Sequence, residues 1–79
     1  MDLESELRKE IEKWTKRIEN EIKNIELKDK KRKDVLDNIH AYIKDSKYFA
    51  DKGDLIRSFE AIIWAWAWLE IGKDLNLLE

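Results

Sequence analysis

Along the first third of the chain, apolar residues recur at Leu3, Leu7, Ile11, Trp14, Ile18, Ile22 and Ile25, spaced 4, 4, 3, 4, 4 and 3 apart. A repeat of this kind averages about 3.67 residues per turn, which keeps one stripe nearly straight along a helix. At about 100° per residue, all seven positions fall within about 100° of arc. Apart from Thr15, the rest of the segment is charged or strongly polar. The pattern predicts a surface helix over about residues 3–26 that buries one narrow face. Asp2 is placed to cap its N-terminus.

A broader stripe follows. Val35, Leu36, Ile39, Tyr42, Ile43, Ser46, Phe49 and Ala50 share one face of a helix predicted over about residues 30–52. Ser46 sits mid-stripe, where a small side chain leaves room for a large one opposite. Asp51-Lys52-Gly53-Asp54 then interrupts the pattern. Gly53 can take the left-handed conformation that ends a helix, and Asp54 can cap the next one.

The third helix is predicted over about residues 55–75. Leu55, Phe59, Ile62, Trp66 and Leu69 line one face, while Trp64, Trp68, Ile71 and Leu75 line the opposite one. Its second half is therefore apolar all round, as enclosed helices are. Short connections force antiparallel neighbours. The expected architecture is all-α: one domain over residues 1–79, folded as an antiparallel up-down-up three-helix bundle. With Gly53 as the pivot, Tyr42 falls near Trp64, Ile39 near Trp66, and Ser46 near Phe59 or Glu60.

Composition removes several classes of chemistry. There is no Cys, so there is no disulfide framework, thiolate metal site or cysteine nucleophile. The one His cannot build an ordinary zinc site, and His40 lies at the edge of the second helix as a plain surface residue. Two Gly give a phosphate-cradling loop almost nothing to be built from, and no nucleotide-loop, zinc-protease or calcium-loop motif is present. The longest apolar run, Ala61 to Leu69, is far shorter than the ~20 residues a membrane span needs. The opening MDLESELRKE has no apolar signal region, and a cytoplasmic protein is expected. No cofactor is expected.

Chemistry-bearing residues then enter as a resemblance. The stretch from Tyr42 to Gly72 carries Tyr42-x-x-Asp45, Lys52-Gly53-Asp54, Phe59-Glu60-Ala61 and Trp64-Ala65. That set resembles a family of short archaeal proteins designated domain of unknown function 357. The resemblance covers the second and third helices. It implies a small helical bundle without an assigned activity, and relatives joined to nucleotidyl-transfer domains.

Three surfaces are candidates for function. The first is the aromatic face of Trp64, Trp68, Ile71 and Leu75, read as a docking surface unless the first helix covers it. The second is a groove bordered by Tyr42, Asp45, Arg57, Glu60 and Trp64. Its carboxylates and aromatics could hold a cation, a ribose or a peptide end, or form a structural network with Arg57 tied to Asp45 or Glu60. The third is the basic run Lys28, Lys30, Lys31, Arg32 and Lys33. Asp29 interrupts it, Asp34 and Asp37 follow it, and no aromatic is interleaved for base stacking. Net charge is -2, with residues 1–27 at -2, 28–53 at +3 and 54–79 at -3, so nucleic acid is not the expected partner. The leading expectation is a non-enzymatic helical interaction module that pairs with itself as a homodimer, with a further protein partner open. The alternative is an accessory RNA- or nucleotide-binding domain serving a nucleotidyl-transfer enzyme.

Overall fold

The computed structural model describes residues 2–79. Three α-helices run Leu3–Ile22 (α1), Lys33–Asp51 (α2) and Leu55–Asp74 (α3), with a 3-10 turn over Lys30–Arg32 leading into α2. α1 and α3 both start beside the Gly53 turn, where Leu3 and Leu7 approach Leu55 and Ile56. α2 runs the other way, so the order is up-down-up. The rod they form measures 44 × 19 × 17 Å.

Local chemistry sets the helix ends. The Asp2 carboxylate accepts from the Ser5 N–H at 2.7 Å, satisfying one of the orphan donors of the first turn of α1. At the end of α2, Gly53 takes φ +78°. The Gly53 N–H donates to Ala50 O at 3.0 Å and the Asp54 N–H to Phe49 O at 2.9 Å, a Schellman end. Asp54 then caps α3 by accepting from the Arg57 N–H at 3.1 Å. A second Schellman end closes α3. Asn76 sits at φ 58°, and the Leu77 N–H donates to Gly72 O at 2.8 Å.

α1 stops four residues short of its expected end. Glu26, Leu27 and Lys28 turn extended and pair antiparallel with the C-terminal residues. Glu26 and Glu79 exchange both main-chain bonds at 2.9 Å, and the Lys28 N–H donates to Leu77 O at 2.9 Å. This pairing carries Leu78 into the core, where it is buried with Ile18, Val35, Ile39, Ile43, Ile62, Ala65 and Leu69. The periodic Ile25 had extended the helical signal, but it packs against that cluster from the connection instead.

α2 and α3 share the largest contact in the bundle. The residue opposite Ser46 is Ser58, a small residue where the pattern predicted a large one. The Ser46 hydroxyl donates to Ser58 O at 2.8 Å and the Ser58 hydroxyl to Ser46 O at 2.7 Å. Two small side chains let the helices approach closely, and each hydroxyl has its buried polar need met by the other helix.

α1 packs chiefly against α3. Trp14 and Trp66 meet edge to face at 5.7 Å, and the Trp66 indole N–H donates to the Trp14 carbonyl at 3.1 Å. Arg17 and Lys13 lie over the Trp14 ring at 4.9 and 5.1 Å. Trp66 therefore turns toward α1 rather than only toward the α2 side of the core.

Candidate functional site

α3 spends one face on the core and leaves another bare. Ala61, Ile62, Ala65 and Leu69 are buried, whereas Ile63 is 46%, Trp64 55%, Ile71 50% and Leu75 61% exposed. Helical spacing puts Ile56, Ile63, Ala67 and Ile71 on one outward stripe, with Trp64 and Leu75 on its flank. α1 does not cover this stripe, because its own apolar residues are engaged around Trp66 on the other side of α3. Trp68 differs from its expected place. It is half-buried and packs against the core cluster. Four residues carry it about 40° further round than Trp64, toward the side where Ala61 and Gly72 are buried. Ile56 and Ile63 belong to the bare face instead. At about 100° per residue both lie midway between the Leu55 and Trp64 faces, so the two-face pattern leaves them on neither.

The Tyr42 groove exists as a shallow depression of about 220 Å³ lined by Tyr42, Asp45, Phe49, Arg57, Glu60 and Ala61. Tyr42 stacks on Trp64, with centroids 6.1 Å apart and planes 21° from parallel. Arg57 bonds neither Asp45 nor Glu60. Its guanidinium donates to Asp54 at 2.8 Å. The Arg57 backbone N–H, and then its guanidinium, hold the Asp54 carboxyl below its ordinary value. The groove's arginine is thus engaged at the helix start, and its aromatic wall is packed on itself.

The basic run lies exposed at the opposite end of the rod. Asp29 caps the 3-10 turn by accepting from the Lys31 N–H at 3.0 Å. Arg32 pairs with Asp34 at 3.0 Å, which raises the guanidinium and lowers the carboxyl from their ordinary values. Lys33 reaches Asp37 at 4.0 Å. Two of the five cations therefore have carboxylate neighbours. His40 is exposed on α2. Nearby, Lys73 donates to Glu21 at 2.8 Å, a bond that raises the ammonium's pKa and ties α3 to α1. Among the described residues, no group of three or more His, Cys, Asp or Glu side chains could hold a metal. No described helix is long and apolar enough to cross a membrane.

The arrangement has known counterparts. No curated protein matches the chain. A crystal structure of an Archaeoglobus fulgidus protein from family DUF357 superposes with a TM-score of 0.89 at 51% identity, covering 99% of this chain and 97% of that one. The model of that family, described as a protein of unknown function, matches residues 5–78. That range takes in α2, α3, all but the first two residues of α1 and the tail carrying Leu78, so the match spans the bundle and the chain belongs to the DUF357 family.

Proposed function

We propose that the chain is a non-enzymatic helical interaction module that meets a second copy of itself through the outer face of α3. The observation that carries this reading is the bare stripe on α3, which among the described residues only Tyr42 of α2 borders, at Trp64. Trp64, Ile63, Ile71 and Leu75 together leave on the order of 400 Å² in water, the size of the largest apolar patch on a soluble monomer, and such patches are often functional. Ala67 lies between Ile63 and Ile71 on the stripe, so two α3 helices can cross closely there. A two-fold axis through that point brings the same apolar surface onto itself. With its rim, such a contact buries on the order of 1,000 Å², the low end for a specific interface, so pairing is expected in the micromolar range.

Sedimentation velocity over about 1–100 µM tests the reading. The wild type should shift from monomer to dimer, and Ile71→Glu should remain monomeric. Ile71 is a better probe than Trp68, whose packing against the core would confuse dissociation with unfolding. The dimer should also melt at higher temperature as concentration rises. A wild type that stays monomeric at the top of that range rejects self-association.

The accessory nucleic-acid reading has weaker support, because Arg32 and Lys33 face Asp34 and Asp37 and the chain is net acidic. RNA binding no tighter than micromolar at physiological salt is expected. A salt-resistant nanomolar affinity lost on changing Lys30, Lys31, Arg32 and Lys33 to Ser would reverse that order.

A further inference from the structure

Opposite the outer face of α3, the other two helices part. α1 stands off α2 and leaves a trough along the rod. Toward the Gly53 turn it is a depression of about 340 Å³ over Ile11, Thr15, Ser46 and Ala50. Toward the connection at residues 23–29 it continues as a depression of about 410 Å³ over Ile22 and Ile43. Glu19 and Lys47 line both parts and meet across the middle at 2.7 Å. Both side chains are well exposed, so the bridge contributes little and can open.

The floor calls for an apolar occupant. The Ser46 hydroxyl is committed to Ser58, and among the described residues no buried side-chain polar atom lacks a partner. Thr15, Ser46 and Ala50 are small, which leaves depth for large side chains from above. From Ile11 to Ile22 the floor follows α1 for about 16 Å, three turns of a helix. A long trough with an apolar floor and charged walls matches the way amphipathic helices are held.

The walls give the occupant a direction. Near the Gly53 turn they carry Glu12, Glu19 and Asp51 against Lys16 and Lys47. Near the connection they carry Lys23, Lys44 and Lys47 against Glu19 alone. Ordinary helices hold acidic side chains in the first turn and basic ones in the last. We propose that the trough binds one amphipathic helix of another protein, about three turns long. Its acidic first turn lies over Lys23 and Lys44, and its basic last turn lies beside Glu12 and Asp51. The positive end of that helix's dipole opposes this direction by only about half a charge, against two or more full carboxylate charges. The trough and the bare α3 stripe face opposite ways, so the partner helix and a second copy can be held together. The trough does not depend on self-association.

The test uses two capped synthetic peptides of about 15 residues. Both carry leucine at helical 3 and 4 spacing. One has an acidic first turn and a basic last turn, and its twin has the charges exchanged. Methyl NMR of the wild-type chain reads the location, and fluorescence anisotropy reads the affinity. The first peptide should shift Ile11, Ile22 and Ile43 while sparing Ile63 and Ile71, and should bind about tenfold tighter than its twin. Lys44→Glu, an exposed substitution, should weaken the first peptide and strengthen the twin. Ala50→Trp should fill the trough and weaken both, whereas Ile71→Glu should change neither. Equal affinities for the two peptides, no shift at the three trough isoleucines, or shifts confined to Ile63 and Ile71 would overturn the proposal. Shifts at the trough with phosphatidylglycerol vesicles but not with either peptide would also overturn it, assigning the lysines to a membrane surface.

Discussion

Gly72 is where α3, α2 and the C-terminal tail meet, and replacing it with Ala sets two effects against each other. A Cβ built there lies 2.6 Å from Leu78 Cδ1, 3.0 Å from Leu78 Cγ and 3.2 Å from Val35 Cγ1. In an open helix, Gly→Ala would stabilise by about 1 kcal/mol through propensity and a less disordered unfolded chain. Here the first distance is far inside van der Waals contact. Val35 is β-branched and buried on α2, so it offers little movement. Leu78 must give way, yet its backbone is held at both sides. The Leu78 N–H donates to Gly72 O at 3.2 Å, and the neighbouring Glu79 pairs twice with Glu26. Expelling a buried Leu costs about 1.5–3 kcal/mol, and keeping it overpacked costs about 1–3 kcal/mol. Gly72→Ala should therefore destabilise by up to about 2 kcal/mol net, with Tm falling about 4–8 °C for each kcal/mol in a chain of this size. Melts followed by circular dichroism at one fixed concentration measure it. Amide exchange at Lys28 and Glu79, which reports the tail pairing, should quicken. In a Leu78→Ala background the same change should cost less or become neutral, since the two nearest obstructing atoms are gone and only Val35 Cγ1 remains close. A Gly72→Ala chain that melts at or above the wild type, with those two amides exchanging as before, would refute the packing argument.

The remaining expectations concern the turns and the helix contact. Nothing lies within 4 Å of the Cβ position at Gly53, so its cost is purely conformational. Gly53→Ala should lose about 1 kcal/mol and Gly53→Val more, and a Val variant melting with the wild type would contradict this. Ser46→Ala should cost about 1 kcal/mol for the lost bond. Ser46→Leu should cost about 3 kcal/mol by wedging α2 from α3, and equal losses for the two would argue against close approach. Asp54 has a folded pKa below the ordinary 3.8, so its contribution is present above that value and lost as pH falls through the lower folded value. Asp54→Ala should lower Tm at neutral pH and flatten the acid decline below about pH 4. Identical acid limbs in melts of the two proteins would remove Asp54 as the titrating cap.

Much of the fold could be read from local signals because those signals are chemically local. Asp2 and Asp54 cap their own next turns, and Gly53 supplies its own left-handed conformation. The antiparallel register followed from that turn, which is why Tyr42 meets Trp64. Two features depended on distant chain. The end of α1 could not be read from its period, because Ile25 fits both a further helical turn and the extended connection. The choice is made by the main-chain bonds to residues 77–79 and by the slot beside Gly72 that receives Leu78. Trp68 was misplaced for a similar reason. A helix apolar on all sides gives no internal mark of which face its neighbours will take.

The trough shows how a weak signal becomes a structural consequence. A stripe about 100° wide is enough to meet one neighbouring helix, whereas closing a triangular bundle requires each helix to meet two. α1 has only that narrow stripe, and α3 takes it through the Trp14–Trp66 contact and the Trp66 bond to the Trp14 carbonyl. Only the edge of the stripe, at Ile11, Thr15 and Ile22, borders α2; beyond that edge α1 is charged, and Glu19–Lys47 is the salt bridge seen across the gap among the described residues. The same imbalance accounts for the other open surface. α3 carries more apolar girth than its two neighbours can cover, while α1 carries less than two neighbours would need. A surplus on one helix and a deficit on another leave an exposed ridge on one side of the rod and a cleft on the opposite side. Narrowing the surplus with Ile71→Glu should therefore leave the cleft intact, and filling the cleft with Ala50→Trp should leave the ridge intact. If either change altered both surfaces, the two would be one coupled feature of the packing rather than two separate places to bind.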